Sequence, residues 1–167
     1  MEIGLSLGSN MGDRLANMRE AKRRIAAIPG AVIIAQSPVY ETSPVDVGPE
    51  FSDLLFLNAV LIVESEPAPE ALLDGLGAIE CALGRKRGPG RNAPRPIDVD
   101  IIYADCKRIR TARLTIPHPR WAERRFVVRP LADVRPDLKL PGRRRTVAQR
   151  LLALPAGQKV VPFARKW

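Results

Sequence analysis

An α+β fold is what this 167-residue sequence predicts. Two observations carry that reading. Strand-like stretches and amphipathic runs follow one another in the order β-α-β-β-α-β over the first hundred residues. The strongest breakers, Pro29-Gly30, Pro67 and Gly84, fall between those stretches and not inside them. The order is that of the split βαβ, or ferredoxin-like, unit: one antiparallel sheet with helices on one face. A C-terminal extension follows, and the open face is left to it or to a ligand. The length suits a single domain, residues 1–167, large enough for a real core.

Residues 2–7 alternate, with Ile3, Leu5 and Leu7 on one face and Gly4 and Ser6 on the other, as in a short strand. Gly8-Ser9-Asn10 and Gly12 make a tight turn, and Asp13 or Asn10 can cap the helix after it. That turn is either an ordinary strand-to-helix link or a phosphate cradle. Leu15, Met18, Ala21, Ile25 and Ile28 recur at helical spacing until Pro29-Gly30. Residues 31–41 predict a second strand, in which Pro38 marks an edge or a bulge. A Pro-rich loop follows, then a third strand over 55–64 that is apolar on both faces and therefore central. Asn58 in that strand is either a structural amide or the reader of a pocket with Phe56 as its wall.

Pro67 and Pro69 open a second helix, Leu72, Leu76, Ile79 and Leu83 form its stripe, and Gly84 ends it. Glu80 sits near that helix's C-terminus, where the macrodipole disfavours a carboxylate. A nearby arginine or a bound group explains it, or it is a solvated surface acid. Residues 85–96 hold five basic residues, three prolines and two glycines, as a phosphate-closing lid or a solvated linker would. Past the fourth strand, residues 108–116 predict a short hairpin, Phe126 to Leu131 return to the core, and residues 146–154 form a last helix capped by Thr146.

That fourth strand, Ile97-Asp98-Val99-Asp100-Ile101-Ile102-Tyr103, is the chemically loaded one. Alternation puts Asp98 and Asp100 on one face, their Cα atoms ~7 Å apart, and Ile97, Val99, Ile101 and Tyr103 on the other. Two acids side by side repel each other unless a cation sits against them. They are either Mg²⁺ ligands or the acidic solvent face of an edge strand.

Charge is divided along the chain. Residues 1–80 hold 12 acids and 5 bases, a net of −7, and residues 81–167 hold 6 acids and 22 bases, a net of +16. Such a half meets a polyanion: nucleic acid, a nucleotide polyphosphate or an anionic surface. A composition 46% hydrophobic excludes a mainly disordered chain. No run of ~18 apolar residues predicts a membrane span, and no signal peptide is visible at Met1-Glu2-Ile3. Cys81 and Cys106 stand apart without metal-ligand spacing, so a reduced cytoplasmic protein is expected.

The motifs taken in order resemble the 6-hydroxymethyl-7,8-dihydropterin pyrophosphokinase family. They are Gly8-Ser9-Asn10, Tyr40-Glu41-Thr42-Ser43-Pro44, Phe56-Leu57-Asn58-Ala59-Val60, Gly84-Arg85, Pro94-Arg95-Pro96-Ile97-Asp98-Val99-Asp100, Leu114-Thr115-Ile116-Pro117-His118 and Arg124-Arg125-Phe126-Val127. The specific piece is Pro-Arg-x-x-Asp-x-Asp on a strand with Pro-His about twenty residues later. The resemblance implies transfer of the β,γ-pyrophosphoryl group of ATP to the dihydropterin hydroxymethyl oxygen, with AMP leaving. It implies two Mg²⁺ on Asp98 and Asp100, catalysis by that pair with Arg85 and Arg95, and ATP contacts from Arg85, Arg87, Arg95, Ile101, His118 and Arg124. Pterin would meet Gly8, Thr42, Pro44, Val45, Phe56, Asn58 and Phe126, with Asn10 and Glu80 in support. Members often carry Trp in the basic loop where this chain has Asn92.

Two rival classes remain on the same fold. A nucleic-acid module would use the basic half, but only 5% of the residues are aromatic, too few for base-stacking strands. A regulatory small-ligand domain would need neither the acid pair nor the arginine loop. The expectation is therefore a monomer that binds ATP and a pterin, with no nucleic acid and no membrane as partner.

Overall fold

A computed structural model describes residues 1–45, 48–85 and 94–167. Strand β1 (Glu2–Ser9) leads into helix α1 (Arg14–Ala26), then β2 (Ala31–Gln36), β3 (Val39–Thr42), β4 (Phe56–Ser65), α2 (Pro69–Ala82) and β5 (Asp98–Ala104). A hairpin of β6 (Ile109–Arg110) and β7 (Thr115–Ile116) follows, then α3 (Arg125–Val134), α4 (Val147–Leu152) and β8 (Val160–Ala164). The main sheet runs β5-β1-β4-β3-β8, with β2 also against β4, and its pairings are antiparallel. Both expected caps form: Asp13 Oδ1 accepts from Ala16 N at 3.0 Å, and Thr146 and Gln149 make a reciprocal capping box.

The sheet separates two apolar layers. On one side Ile3, Leu5 and Leu7 of β1 meet Met18 and Ile25 of α1 and Leu72 and Leu76 of α2. On the other, Val60, Ile62 and Ile102 meet Trp121, Val128 and Leu131. The central β4 is buried on both faces, as its continuous apolar run requires. Two charged clusters pin α3 to the sheet. Tyr40 Oη donates to Asp133 Oδ2 at 2.5 Å while Arg129 bridges both residues. Arg135 forms an ion pair with Glu2 at 2.7 Å, and Tyr103 Oη donates to the same carboxylate.

The structure departs from the sequence expectations in three places. The single strand expected over 31–41 is two, because Pro38 has no N–H to give the ladder. Ser37 carries the pairing across the break: its N–H donates to Val60 O and its Oγ accepts from Val60 N, both at 2.9 Å. Tyr103 does not share a face with Ile97, Val99 and Ile101. The register shifts between Gly4 and Leu5, leaving Ile102 unmatched, so Tyr103 turns to the α3 side. The C-terminal segment adds strand β8 and buries Trp167, whose Nε1 donates to Ser37 O at 2.8 Å.

The bulge sets a steric condition at Gly4. A Cβ there would lie 2.2 Å from Cε1 of the Tyr103 ring, which is buried and tied to Glu2. Gly4→Ala is expected to destabilise the fold by about 1–3 kcal/mol, read as a lower urea midpoint. An unchanged midpoint would show that the ring moves aside freely.

Candidate active site

The register of β1 between β4 and β5 builds the site. Gly8 lies opposite both Asp98 and Asn58, and Ser6 lies opposite Asp100 and Val60. Small residues on β1 therefore flank the acids of one neighbour and the amide of the other. A Cβ on Gly8 would come 3.1 Å from Asn58 Oδ1, so glycine keeps that amide accessible. A cleft opens over this row. Asp98, Asp100, Arg95 and Arg124 line one part of it, and Phe56, Asn58, Thr42 and Phe126 line the rest. Ser6, Gly8, Ser43 and Val45 complete the lining. Asn58 is buried, and its Nδ2 donates to Thr42 Oγ1 at 2.7 Å. The Arg124 guanidinium lies 5.6 Å from the centre of the Phe126 ring.

Around the acids the charges are organised in sequence. Asp98 is gripped twice, Oδ1 at 2.6 Å from Arg85 Nη1 and Oδ2 at 3.2 Å from Arg95 Nη1. Arg85 Nη1 also pairs with Glu80, whose Oε1 accepts from Val99 N at 2.7 Å. Glu80 thus ties the end of α2 to β5 and aims Arg85, which accounts for an acid at a helix C-terminus. Burial pushes its carboxyl above the usual range, opposed by the Val99 N–H and by Arg85. Asn10 fixes the other arginine: its Oδ1 accepts from Arg95 N at 2.8 Å and its N–H donates to Arg95 O at 3.3 Å. Arg95 Nε is buried without a hydrogen-bond partner among the described residues. A donor left in that state at an acid cluster suits an incoming anion.

Asp100 has no such grip among the described residues. Burial, then the neighbouring Asp98, push its carboxyl up to about 6, against the pull of Arg124. His118 stands behind β5, its N–H donating to Ile102 O at 2.8 Å. Its Nδ1 accepts from Arg120 N at 3.1 Å. Burial first, then Arg124 and Arg120, hold the imidazole down at about 4, so it is neutral at pH 7 with its remaining proton on Nε2.

Among the described residues no group of three or more His, Cys, Asp or Glu side chains could hold a metal ion. A carboxylate pair alone still fits Mg²⁺, which takes one or two carboxylates and fills its shell with phosphate oxygens and water. Asp100, pushed up by burial and then by Asp98, is an acid whose ionised form a dication would favour.

The cleft brings together Gly8, Thr42, Val45, Phe56, Asn58, Arg95, Asp98, Asp100, Arg124 and Phe126 of the expected residues. Arg85 and Glu80 join through Asp98, and Asn10 through Arg95. Pro44 sits between two lining residues without lining the cleft itself. The Ile101 side chain is in the α1–α2 core, because alternation on β5 turns it away from the acids. Arg87 and Asn92 lie outside the described residues. Sequence reasoning missed Ser6 and Ser43. Ser6 was legible as a polar residue on the same face as Gly8, and its pairing opposite Asp100 came only with the register. It also missed a second groove, between α2 and β5, where Asp74, Gly77, Cys81 and Arg113 join Glu80 and Val99. An Asp74–Arg113 ion pair crosses it.

Residues 4–136 match the family model described as 7,8-dihydro-6-hydroxymethylpterin-pyrophosphokinase. A 2-amino-4-hydroxy-6-hydroxymethyldihydropteridine pyrophosphokinase of Methylorubrum extorquens is 40% identical over 154 residues, 92% of this chain and 94% of the relative. One of the same name from Pseudomonas aeruginosa is 36% identical over 83% of each chain. A crystal structure of Plasmodium falciparum HPPK-DHPS with pteroate superposes with a TM-score of 0.70 at 16% identity, over 91% of this chain and 42% of that one. This chain thus spans less than half of that two-part protein.

The unbalanced charge at Asp100 sets a pH dependence. A carboxyl whose folded pKa is raised contributes stability below its unfolded value and loses it as pH rises through about 6. Asp100→Asn is therefore expected to raise metal-free stability at pH 8 by about 2–3 kcal/mol, and to change it little near pH 4. Paired urea titrations at the two pH values check this. Equal effects at both would remove the electrostatic cause.

Proposed function

The chain belongs to the 7,8-dihydro-6-hydroxymethylpterin-pyrophosphokinase family, and we infer its activity from that membership. It transfers pyrophosphate from ATP to the hydroxymethyl group of 6-hydroxymethyl-7,8-dihydropterin, a step of folate synthesis. The pterin oxygen takes the β-phosphorus, the α,β bridge breaks, and AMP leaves. The observation that carries the site assignment is the cleft itself, with an arginine-gripped acid pair in one part and an aromatic-walled buried amide in the other.

The pterin is placed against Phe56 and Phe126, whose rings offer flat apolar surface to a flat heterocycle. Asn58 reads its edge. One amide hydrogen is committed to Thr42, which fixes the side chain's rotation and presents Oδ1 beside Gly8. The backbone at Pro44 and Val45 closes the pocket's rim. Arg85, Arg95 and Arg124 bind the triphosphate. Arg95 Nε, buried with no partner among the described residues, and the Nε2–H of neutral His118 add donors that need no proton exchange. Asp98 and Asp100 would hold two Mg²⁺ ions, which would supply charge neutralisation at the phosphates. Catalysis is then mostly positioning and electrostatics. Adenine is assigned to the groove between α2 and β5, because Glu80 and Val99 connect that groove directly to the acid cluster.

The core is read as a ferredoxin-like βαββαβ unit with a C-terminal extension. The strand order β5-β1-β4 with β2 and β3 beyond supports that reading. The unit acts as one domain over residues 1–167, as a cytoplasmic monomer. Among the described residues no helix is long and apolar enough to cross a membrane.

Incubation with ATP, Mg²⁺ and hydroxymethyldihydropterin is expected to yield AMP only when the pterin is present. Formation of ADP would sink the assignment. Asp98→Ala and Asp100→Ala are each expected to lower kcat by at least about a thousandfold, with the circular dichroism spectrum retained. Near-normal turnover in either variant would refute its metal-ligand role.

A further inference from the structure

A second charged surface lies outside the cleft. Two shallow depressions adjoin at Gly142 and Arg143. Arg108 and Arg110 of the hairpin rim the first, over a floor that includes Ile109, Ile116 and Pro117. Arg144, Arg145 and Arg150 rim the second, over Trp121 and Ala122. No acid lines either one. Six arginines elsewhere, Arg14, Arg23, Arg24, Arg113, Arg129 and Arg135, each pair with a carboxylate of their own chain, while Arg19, Arg125 and Arg165 stand apart along the chain without one among the described residues. Arg108, Arg110, Arg143, Arg144 and Arg145 have no carboxylate partner among the described residues. All five are exposed except where Arg108 lies over Gly142.

The surface is also held in shape. Gly142 takes a left-handed turn at φ +77°, and Arg143 N donates to Leu140 O at 3.0 Å. Val147 N and Ala148 N tie the following residues back to Leu138 O and Pro136 O at 2.9 Å each. Arg150 Nε donates to Ala122 O, joining the helix to the floor of the second depression. Like charges crowded on this turn repel each other, and a partner of opposite sign removes more of that cost than salt screening does.

We propose that this strip is a docking surface for an acidic polypeptide segment that carries apolar side chains between its carboxylates. The arginine rims take the carboxylates, and the two apolar floors take the side chains between them. Nucleic acid fits less well: the only aromatic in the lining, Trp121, is 2% exposed and offers no face to a base. A bilayer fits less well, because the apolar residues form floors below the rims instead of projecting beyond them. The proposal is independent of the reaction assigned above, since none of these residues lines the cleft.

Fluorescence polarisation with the intact protein tests it. The probe is a labelled peptide of about 12 residues with repeating Glu-Leu-Glu units, and the control replaces Leu by Gly at equal charge. The leucine peptide is expected to bind at least about fivefold tighter than the glycine peptide, and to weaken as salt rises from 20 mM toward roughly 0.3 M. The triple variant Arg143→Ser, Arg144→Ser, Arg145→Ser should lose roughly tenfold or more in affinity while pyrophosphoryl transfer is unchanged. Equal binding of the two peptides, undiminished binding by the variant, or tighter binding of a U-rich RNA or of phosphatidylserine vesicles would each overturn the proposal.

Discussion

Two carboxylates on one strand face set the conditions that the surrounding structure meets. Asp98 and Asp100 cannot both be comfortable as anions, and the protein treats them unequally. Asp98 is clasped by Arg85 and Arg95. Asp100 is left with burial and a like-charged neighbour, moderated by Arg124 at a distance. The asymmetry has structural dependants. Arg85 reaches Asp98 because Glu80 holds it, and Glu80 is placed because it accepts the Val99 N–H in the strand between the two acids. Arg95 reaches Asp98 because Asn10 fixes its backbone from the far end of β1. Removing Glu80 or Arg85 would leave its half-buried partner charge without its nearest opposite.

The same constraint explains the small residues of β1. A strand lying beside two acids on one side and a buried amide on the other has to leave room for whatever those groups bind. Ser6 and Gly8 do so without interrupting the ladder, because Leu5 and Leu7 on the opposite face keep the strand packed against α1 and α2. Pocket and core are thus two faces of one strand, and the alternation that gives the core its leucines gives the cleft its space.

Much of this was legible from residue type and spacing. The acid pair, the Phe56–Asn58 face and the misplaced Glu80 each violated a local rule, and each violation marks a residue of the site or its support. The parts that were not legible depend on register and tertiary contact. Tyr103 changes face because one residue of β5 has no partner on β1, and nothing in the run Ile101-Ile102-Tyr103 announces a bulge. Strand β8 was missed because Val160-Val161-Pro162-Phe163 is short and proline-broken, acceptable only as an edge beside β3. Ile101, placed with the nucleotide by resemblance, turns its side chain to the core face of β5, the face that also carries Val99 of the α2–β5 groove.

Burial without partners adds a last constraint on the basic side of the cleft. Ser9 Oγ, Asn10 Nδ2 and Arg95 Nε are all buried with no hydrogen-bond partner among the described residues. They come from the end of β1 and from the segment it pairs with through Asn10 and Arg95. Each such atom costs about 1–3 kcal/mol when left unsatisfied, and a fold that needed only stability would have little reason to group them next to an arginine-clasped acid. All three can donate: the Asn10 amide nitrogen and the Arg95 guanidinium only donate, and the Ser9 hydroxyl can also accept. Donors held at a fixed position, already stripped of water, suit an anion with several oxygens better than a single water molecule. Of the three residues Arg95 is the one that also lines the cleft, so its guanidinium joins this polar seam to the space over the acid pair.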